Sequence, residues 1–246
     1  MYKSFSESIA ECKRLADISS SDQEMVILDI GCAIGDFVKL IDESNRTTPK
    51  KYMAIGVDPL ITLYRERNLG DSYSLYKQLY EAVVSEKEGF VEINVNSAMP
   101  DLSSLKTINL NVLKELPPIY NFVKETYDEK NNTKLQRPSM TLGTICKQEN
   151  IQRIDILKLD TQGNEYEILA SINKKLLSKT ALIYVETSVP LKPCLYNDQK
   201  TFKEILQLLE KSNFKLLGVF GLDDLITFED SIDINCIFVN KSIFRD

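Results

Sequence analysis

The sequence predicts an α/β fold, a doubly wound and mostly parallel sheet that ends in an antiparallel strand. Three observations carry this. Continuous apolar runs of strand length, MVILDI at 25–30 and IDILKLD at 154–160, read as strands buried on both faces. Amphipathic segments alternate with such runs, as in right-handed βαβ units. The last two runs, FKLLGVFG and INCIFVN, are joined by an acidic loop with no room for a helix, so they pair antiparallel.

In chain order, residues 3–17 place Ile9, Cys12, Leu15 and Ala16 at helical spacing. Residues 1–24 are therefore read as an N-terminal helical segment leaning on the core. After MVILDI, a glycine-containing turn leads into a helix with Phe37, Val38, Leu40 and Ile41. YMAIGV at 52–57 repeats the buried-strand pattern and ends at Asp58-Pro59, before a helix over 60–68. A third strand runs to Glu81-Ala82-Val83-Val84. EKEG at 86–89 then turns the chain into an alternating strand, FVEINV. Residues 96–137 are polar and irregular, with Pro100, Pro117, Pro118 and the stretch TYDEKNNTK. A connection of that length reads as a functional insertion or lid. A helix over 141–149, the IDILKLD strand, a helix over 164–177 and the strand ALIYVE at 181–186 follow. A loop then holds Pro190, Pro193 and Tyr196, and a helix over 199–211 carries Phe202, Ile205, Leu208 and Leu209 on one face. No repeat or boundary divides the chain, so one domain over 1–246 is expected.

Composition narrows the chemistry. With 30 Lys and Arg against 36 Asp and Glu, the net charge is −6, which disfavours nucleic acid as a partner. The absence of histidine excludes Ser-His and Cys-His catalysis, His-ligated zinc and a His base. The five cysteines form no CxxC pair and read as reduced thiols. No apolar stretch has the length of a membrane span and no secretory run is visible, so a cytoplasmic protein is expected.

The candidate site gathers at strand ends, where open sheets bind ligands. The first turn, from Leu28 to Asp36, spaces its residues as DxGxxxG. Gly31 and Gly35 permit a tight turn and close approach to a ligand. The dinucleotide fingerprint needs a glycine where Ala33 stands. A sulfonium amino acid instead needs a carboxylate near its ammonium group, and Asp29 is placed to supply it. Asp58 is read as accepting from both ribose hydroxyls of a nucleoside; the alternative is an Asp-Pro turn starter. Glu81 beside Ala82 is read as holding an adenine amino group; the alternative is an exposed strand-end glutamate. Asp160 ends the IDILKLD strand, Gly163 allows a tight turn, and Glu165 lies in the next helix's first turn. A carboxylate there also suits a helix N-terminus. Glu186 ends the following strand, so Asp160 and Glu186 face one substrate together. Without histidine, a carboxylate is the expected base for a hydroxyl.

The segments LDIGCAIGDF, GVDP, EAVVS, DLSSL, IDILKLDTQGNEYEIL and LYNDQKTFKEIL, spread from about residue 25 to residue 240, resemble the FkbM family of S-adenosylmethionine-dependent methyltransferases. KLDTQGNE is similar to the family's K-I-D-V-[EQ]-G-x-E, and LYNDQ to its L-Y-x-G-Q. Two positions depart: Ala33 stands where the family often has Asn, and Gly143 where it often has Asp. The resemblance implies a Rossmann-like class I methyltransferase fold with a seven-stranded sheet. It also implies O-methylation, often of sugars or natural-product hydroxyls. S-adenosylmethionine is then expected across Asp29, Gly31, Cys32, Gly35, Asp58, Pro59, Glu81, Ala82 and Val83. Asp160, with Glu186 as second candidate, is expected to orient or deprotonate the acceptor, with Glu165 and Gln162 supporting or touching it. Residues 96–137 and 187–198 are expected to shape the acceptor pocket, with Tyr196 stacked on a sugar face. The expected partner is a small molecule, with carbohydrates foremost. No metal is assigned, because the acidic pair Asp223-Asp224 reads as a solvated loop. The rivals are a nicotinamide-dependent oxidoreductase, which needs the missing glycine, and a non-catalytic binding protein on the same fold.

Overall fold

A computed structural model describes residues 5–20, 23–45, 49–189, 192–221 and 232–244. The chain runs α1 (Phe5–Ser20), β1 (Met25–Ile30), α2 (Asp36–Asn45), β2 (Tyr52–Val57), α3 (Ile61–Glu66), β3 (Gln78–Tyr80), β4 (Val83–Val84) and β5 (Gly89–Asn96). It continues through α4 (Leu110–Glu115), α5 (Asn121–Thr126), β6 (Asn132–Met140), α6 (Leu142–Gln148), β7 (Ile154–Leu159), α7 (Glu165–Ser171) and α8 (Lys174–Leu177). It ends with β8 (Thr180–Ser188), α9 (Phe202–Lys211), β9 (Phe214–Phe220) and β10 (Asp233–Asn240).

The main sheet has seven strands in the order β3-β2-β1-β7-β8-β10-β9. β10 runs antiparallel to both of its neighbours, and the other pairs are parallel. Every residue of β7 is buried, as a central parallel strand requires. Alternation along β1 sends Met25 and Ile27 to one face and Leu28 and Ile30 to the other. The first face packs on α1 and α2 through Ile9, Cys12, Phe37 and Ile41. The second packs on α6, α7 and α9 through Ile145, Ile168 and Ile205. Among the described residues no helix is long and apolar enough to cross a membrane.

Three expectations are corrected. The third strand stops at Tyr80, and the chain changes sheets across Glu81 and Ala82. Val83 and Val84 belong to a separate sheet of order β4-β6-β5. The end of the 96–137 segment is not irregular. It enters β6, which pairs antiparallel with β5 from Gly89↔Ser139 to Asn96↔Asn132. The helix expected over 164–177 is two helices, because Asn173 accepts from Leu176 N at 2.9 Å and starts a new one.

The strand order reverses between β1 and β7, which opens a crevice at their carboxyl ends. Ile30 is in register with Leu159, so the turns that follow these strands lie side by side. Gly31 makes this approach possible. Its φ is +74°, and an added Cβ would lie 1.7 Å from the Asp160 carbonyl oxygen. Gly31→Ala should therefore destabilise the fold by more than about 2 kcal/mol, through collision and backbone strain together. Urea unfolding measures this, and a loss below about 0.5 kcal/mol would show that the two turns are free to separate.

Candidate active site

A cavity of about 340 Å³ occupies the crevice. One end is formed by Gly31 to Ile34, by Asp58 to Leu60 and by Ala82 to Val84. The other is formed by Lys158, Asp160 to Gln162, Tyr184, Glu186 and Asn235. Ile93 of β5 and the segment from Ser103 to Leu105 line it from the second sheet.

The first end is a hydrogen-bonded turn. Gly31 N and Cys32 N donate to Val57 O at 2.8 and 3.2 Å, and Gly35 N donates to Cys32 O at 2.7 Å. Ala33 adopts a left-handed φ of +43°. Asn, the family's frequent residue here, takes that conformation more readily than Ala. Asp58 is buried and ties the turn to β2. Its Oδ2 accepts from Ala33 N at 3.0 Å and its Oδ1 from Leu60 N at 2.8 Å. Cys32, Pro59, Ala82 and Val83 line the cavity as expected of a cofactor wall.

Three expected cofactor residues do not line the cavity. Asp29 is fully buried beneath the turn, where Tyr76 Oη donates to its Oδ2 at 2.6 Å. Its Oδ1 lies 3.2 Å from Lys158 Nζ, an ion pair without hydrogen-bond alignment. Gly35, at φ +89°, makes room for Ser72 and Tyr76 rather than for a ligand. Glu81 caps α3, accepting from Thr62 N at 3.1 Å and Thr62 Oγ1 at 2.7 Å.

At the second end, Asp160 and Glu186 both line the cavity, brought together by adjacent parallel strands. Gln162 Nε2 bridges them, donating to Asp160 Oδ1 at 2.9 Å and to Glu186 Oε2 at 3.1 Å. Lys158 Nζ lies 3.4 Å from Asp160 Oδ2 and donates to the Gly31 carbonyl. Burial pushes the Glu186 carboxyl well above the usual range, and the charges of Asp160 and Asp233 add to the rise. Glu165 is outside the cavity. Its buried carboxylate closes the β7–α7 turn, accepting from Thr161 N at 2.6 Å and from Gly163 N at 3.1–3.2 Å. Tyr196 is 3% exposed and presents no face to the cavity; it packs under Gly163 and bonds to Gln162. Of the segments 96–137 and 187–198, expected to shape the acceptor pocket, the 100–105 stretch lines the cavity, whereas no described residue of 187–198 does, Tyr196 bonding instead to Gln162 behind it.

Lys158 and Tyr76 were missed as site residues. For Lys158 a signal existed: one lysine inside the apolar strand IDILKLD. Gly143, the other departure from the family pattern, is in the first turn of α6 outside the cavity, so its missing carboxylate removes nothing from the site. Asp223 and Asp224 lie outside the described residues. Among the described residues no group of three or more Cys, Asp and Glu is arranged to hold a metal ion.

The chain matches the methyltransferase FkbM domain over residues 29–216. It belongs to that family. It is 27% identical over 201 residues to the 2-O-methyltransferase NoeI of Sinorhizobium fredii, which covers 79% of this chain and 74% of that protein. Among solved structures, the FkbM methyltransferase of Methylobacillus flagellatus KT aligns with TM-score 0.46 and 11% identity, over 88% of this chain and 43% of that one. The LepI complex with SAM aligns with TM-score 0.39 and 12% identity, over 90% of this chain and 44% of that one. The chain thus spans less than half the length of these two solved structures. Its sheet, with one inverted strand between the last parallel pair, is that of a class I methyltransferase.

The cavity offers a ligand unpaired polar groups. Asn164 Nδ2 and Ser103 Oγ belong to its lining residues and are buried without a hydrogen-bond partner. Asp58 titrates in an accessible range: burial pushes it up to about 6, against the pull of the Leu60 and Ala33 N–H donors and of Lys158. Between pH 3.8 and 6 the native state holds a proton that the unfolded chain has lost. The stability this contributes is complete below 3.8 and disappears as pH rises through 6. Asp58→Asn lacks the effect. The stability of the natural chain relative to Asp58→Asn should therefore be about 1.4 kcal/mol greater at pH 5 than at pH 7.5. Urea unfolding at the two pH values checks this, and a difference independent of pH would contradict the burial argument.

Proposed function

We propose that this chain transfers a methyl group from S-adenosylmethionine to a hydroxyl of a small polyhydroxylated acceptor such as a sugar. The observation that carries the reading is one cavity joining two parts. A glycine turn with a buried Asp58 lies at one end and the Asp160–Glu186 pair at the other. Family membership supports the methyl transfer. The name of the relative NoeI, a 2-O-methyltransferase, supports oxygen as the acceptor atom.

When bound, the cofactor supplies an electrophilic methyl on a sulfonium. Asp58 accepts from the ribose hydroxyls through lone pairs left free by its two backbone bonds. The turn from Gly31 to Ala33 and the small side chain of Ala82 let the nucleoside lie close to the backbone. Apolar walls from Ile30, Phe37, Val57 and Ile93 keep water from the reacting oxygen. Alignment of that oxygen is the protein's main task. Asp160 would accept the proton of the acceptor hydroxyl, so that the oxygen could take up the methyl the cofactor supplies. Lys158 steadies the Asp160 carboxylate before this and is not itself a proton carrier.

Thermal shift with S-adenosylmethionine, S-adenosylhomocysteine and NAD side by side tests the cofactor. The first two should raise the melting temperature and NAD should not. A response to NAD alone would replace the reading with a redox one. Asp58→Ala should weaken S-adenosylhomocysteine binding about ten- to a hundredfold in calorimetry, the worth of roughly 1.5–3 kcal/mol of charge-assisted bonds. Asp160→Asn separates an enzyme from a binding protein. Cofactor affinity should stay within severalfold while turnover falls by about 10²–10⁴. Normal turnover in that variant would move the proton-accepting role to another group.

A further inference from the structure

We propose that Gln162 is a positioning residue that fixes Asp160 and Glu186 against each other at the acceptor end of the cavity. The proposal rests on reading that end as the acceptor site. Gln162 makes its two donor bonds with a single nitrogen, to Asp160 Oδ1 at 2.9 Å and Glu186 Oε2 at 3.1 Å. An amide nitrogen carries two hydrogens, so both bonds form together. The other end of the amide is also committed, because the Tyr196 hydroxyl donates to Gln162 Oε1 at 2.7 Å. Tyr196 thereby sets the orientation. A flipped amide would set its oxygen against the Asp160 carboxylate and would leave the Tyr196 hydroxyl to accept from the amide and donate to Leu102 O, 3.3 Å away, instead.

The backbone is held as firmly. Gln162 has a left-handed φ of +58°, and its carbonyl accepts from Ser104 Oγ at 2.6 Å. Tyr196 is in turn bridged to Ile108. Two segments far apart in sequence, one carrying Ser104 and one carrying Tyr196, therefore converge on this residue. Among the described residues it is the side chain bonded to both Asp160 and Glu186.

The charged and titratable groups facing the pair are Lys158 of β7, Glu165 of α7, Tyr184 of β8, Asp233 of β10 and Tyr196. Lys158 holds one oxygen of Asp160 and the amide holds the other. Burial, Asp160 and Asp233 keep a proton on Glu186, with Asp233 itself pushed up to about 7. An N–H donor favours the ionised form of each carboxyl it touches. Gln162 therefore limits how far up Glu186 retains its proton.

The test is a pH titration of the whole chain, with glutamate labelled with ¹³C at the δ carbon and observed by NMR. Glu186→Gln identifies the Glu186 signal. Gln162→Met removes the amide at similar volume and should raise the Glu186 midpoint by about one unit or more. Gln162→Glu adds a third carboxyl and should raise it further. Tyr196→Phe frees the amide to turn and should raise it by a smaller step. An unchanged midpoint in folded Gln162→Met overturns the proposal. Should that variant fail to fold, Tyr196→Phe decides, and an unchanged midpoint there overturns it equally. Calorimetry with S-adenosylhomocysteine on the natural chain keeps the two questions apart. Absence of binding defeats the cofactor reading and leaves the titration standing, whereas normal binding with an unshifted Glu186 defeats the proposal alone.

Discussion

A buried ammonium holds the centre of this protein. Lys158 lies in the all-buried strand β7 with its Nζ 3.2 Å from Asp29 and 3.4 Å from Asp160, and it donates to the Gly31 carbonyl. Each ion pays a desolvation cost of several kcal/mol, which attraction offsets only where geometry and further bonds are good. Here one cation serves two anions and a carbonyl. Burial lowers its tendency to hold the proton, but the charges of Asp29 and Asp160 outweigh that and keep it charged. The turn after β1 and the turn after β7 are thereby locked together, with Gly31 close against the Asp160 carbonyl. The cavity floor is the product of that lock.

The lock also explains why Asp29 does not line the cavity. Its two oxygens face Lys158 and Tyr76, below the turn rather than above it. Tyr76 reaches it through a slot kept open by glycines. A Cβ at Gly56 would meet the Tyr76 ring at 2.8 Å and one at Gly35 at 3.2 Å. The DxGxxxG spacing was a sound reason to place Asp29 and Gly35 near the first turn. Spacing does not say which way a side chain faces, and for both residues that depends on Tyr76, far away in sequence.

The same limit appears across the fold. MVILDI and YMAIGV coincide with β1 and β2 to the residue, because strands buried on both faces are continuous apolar runs. The run ending EAVV misled for the same reason. Val83 and Val84 are buried and apolar, but in a different sheet, and no local signal marks a change of sheets. β6 was hidden because its first residues, Asn132 to Lys134, are polar and exposed, and Leu135 and Arg137, on either side of Gln136, are only half-buried; its pairing with β5 is a long-range choice. Among the carboxylates, position was legible and partner was not. Asp160 and Glu186 line the cavity, whereas Glu165 and Glu81 are spent on backbone N–H groups.

A chain without histidine must find another group that changes charge near neutral pH, and burial supplies it. A carboxyl that would titrate near 4 in water is pushed upward wherever the fold removes water and adds like charge. Asp58 reaches about 6 and Asp233 about 7, and burial together with the charge of Asp160 pushes Glu186 well above the usual carboxylate range. Asp58 and Glu186, at the carboxyl ends of β2 and β8, line one cavity, and Asp233 at the start of β10 lies behind Glu186. A lone buried carboxyl would simply stay neutral. A pair differs, because opposite environments divide the labour between its members. Lys158 and the Gln162 amide each hold one oxygen of Asp160, while burial and the charges of Asp160 and Asp233 favour the proton on Glu186. An acceptor hydroxyl at this end would meet one oxygen able to take a proton and one group able to donate a bond. On the proposed reading, two carboxyls in unequal surroundings would provide both functions that a single imidazole offers in its two nitrogens.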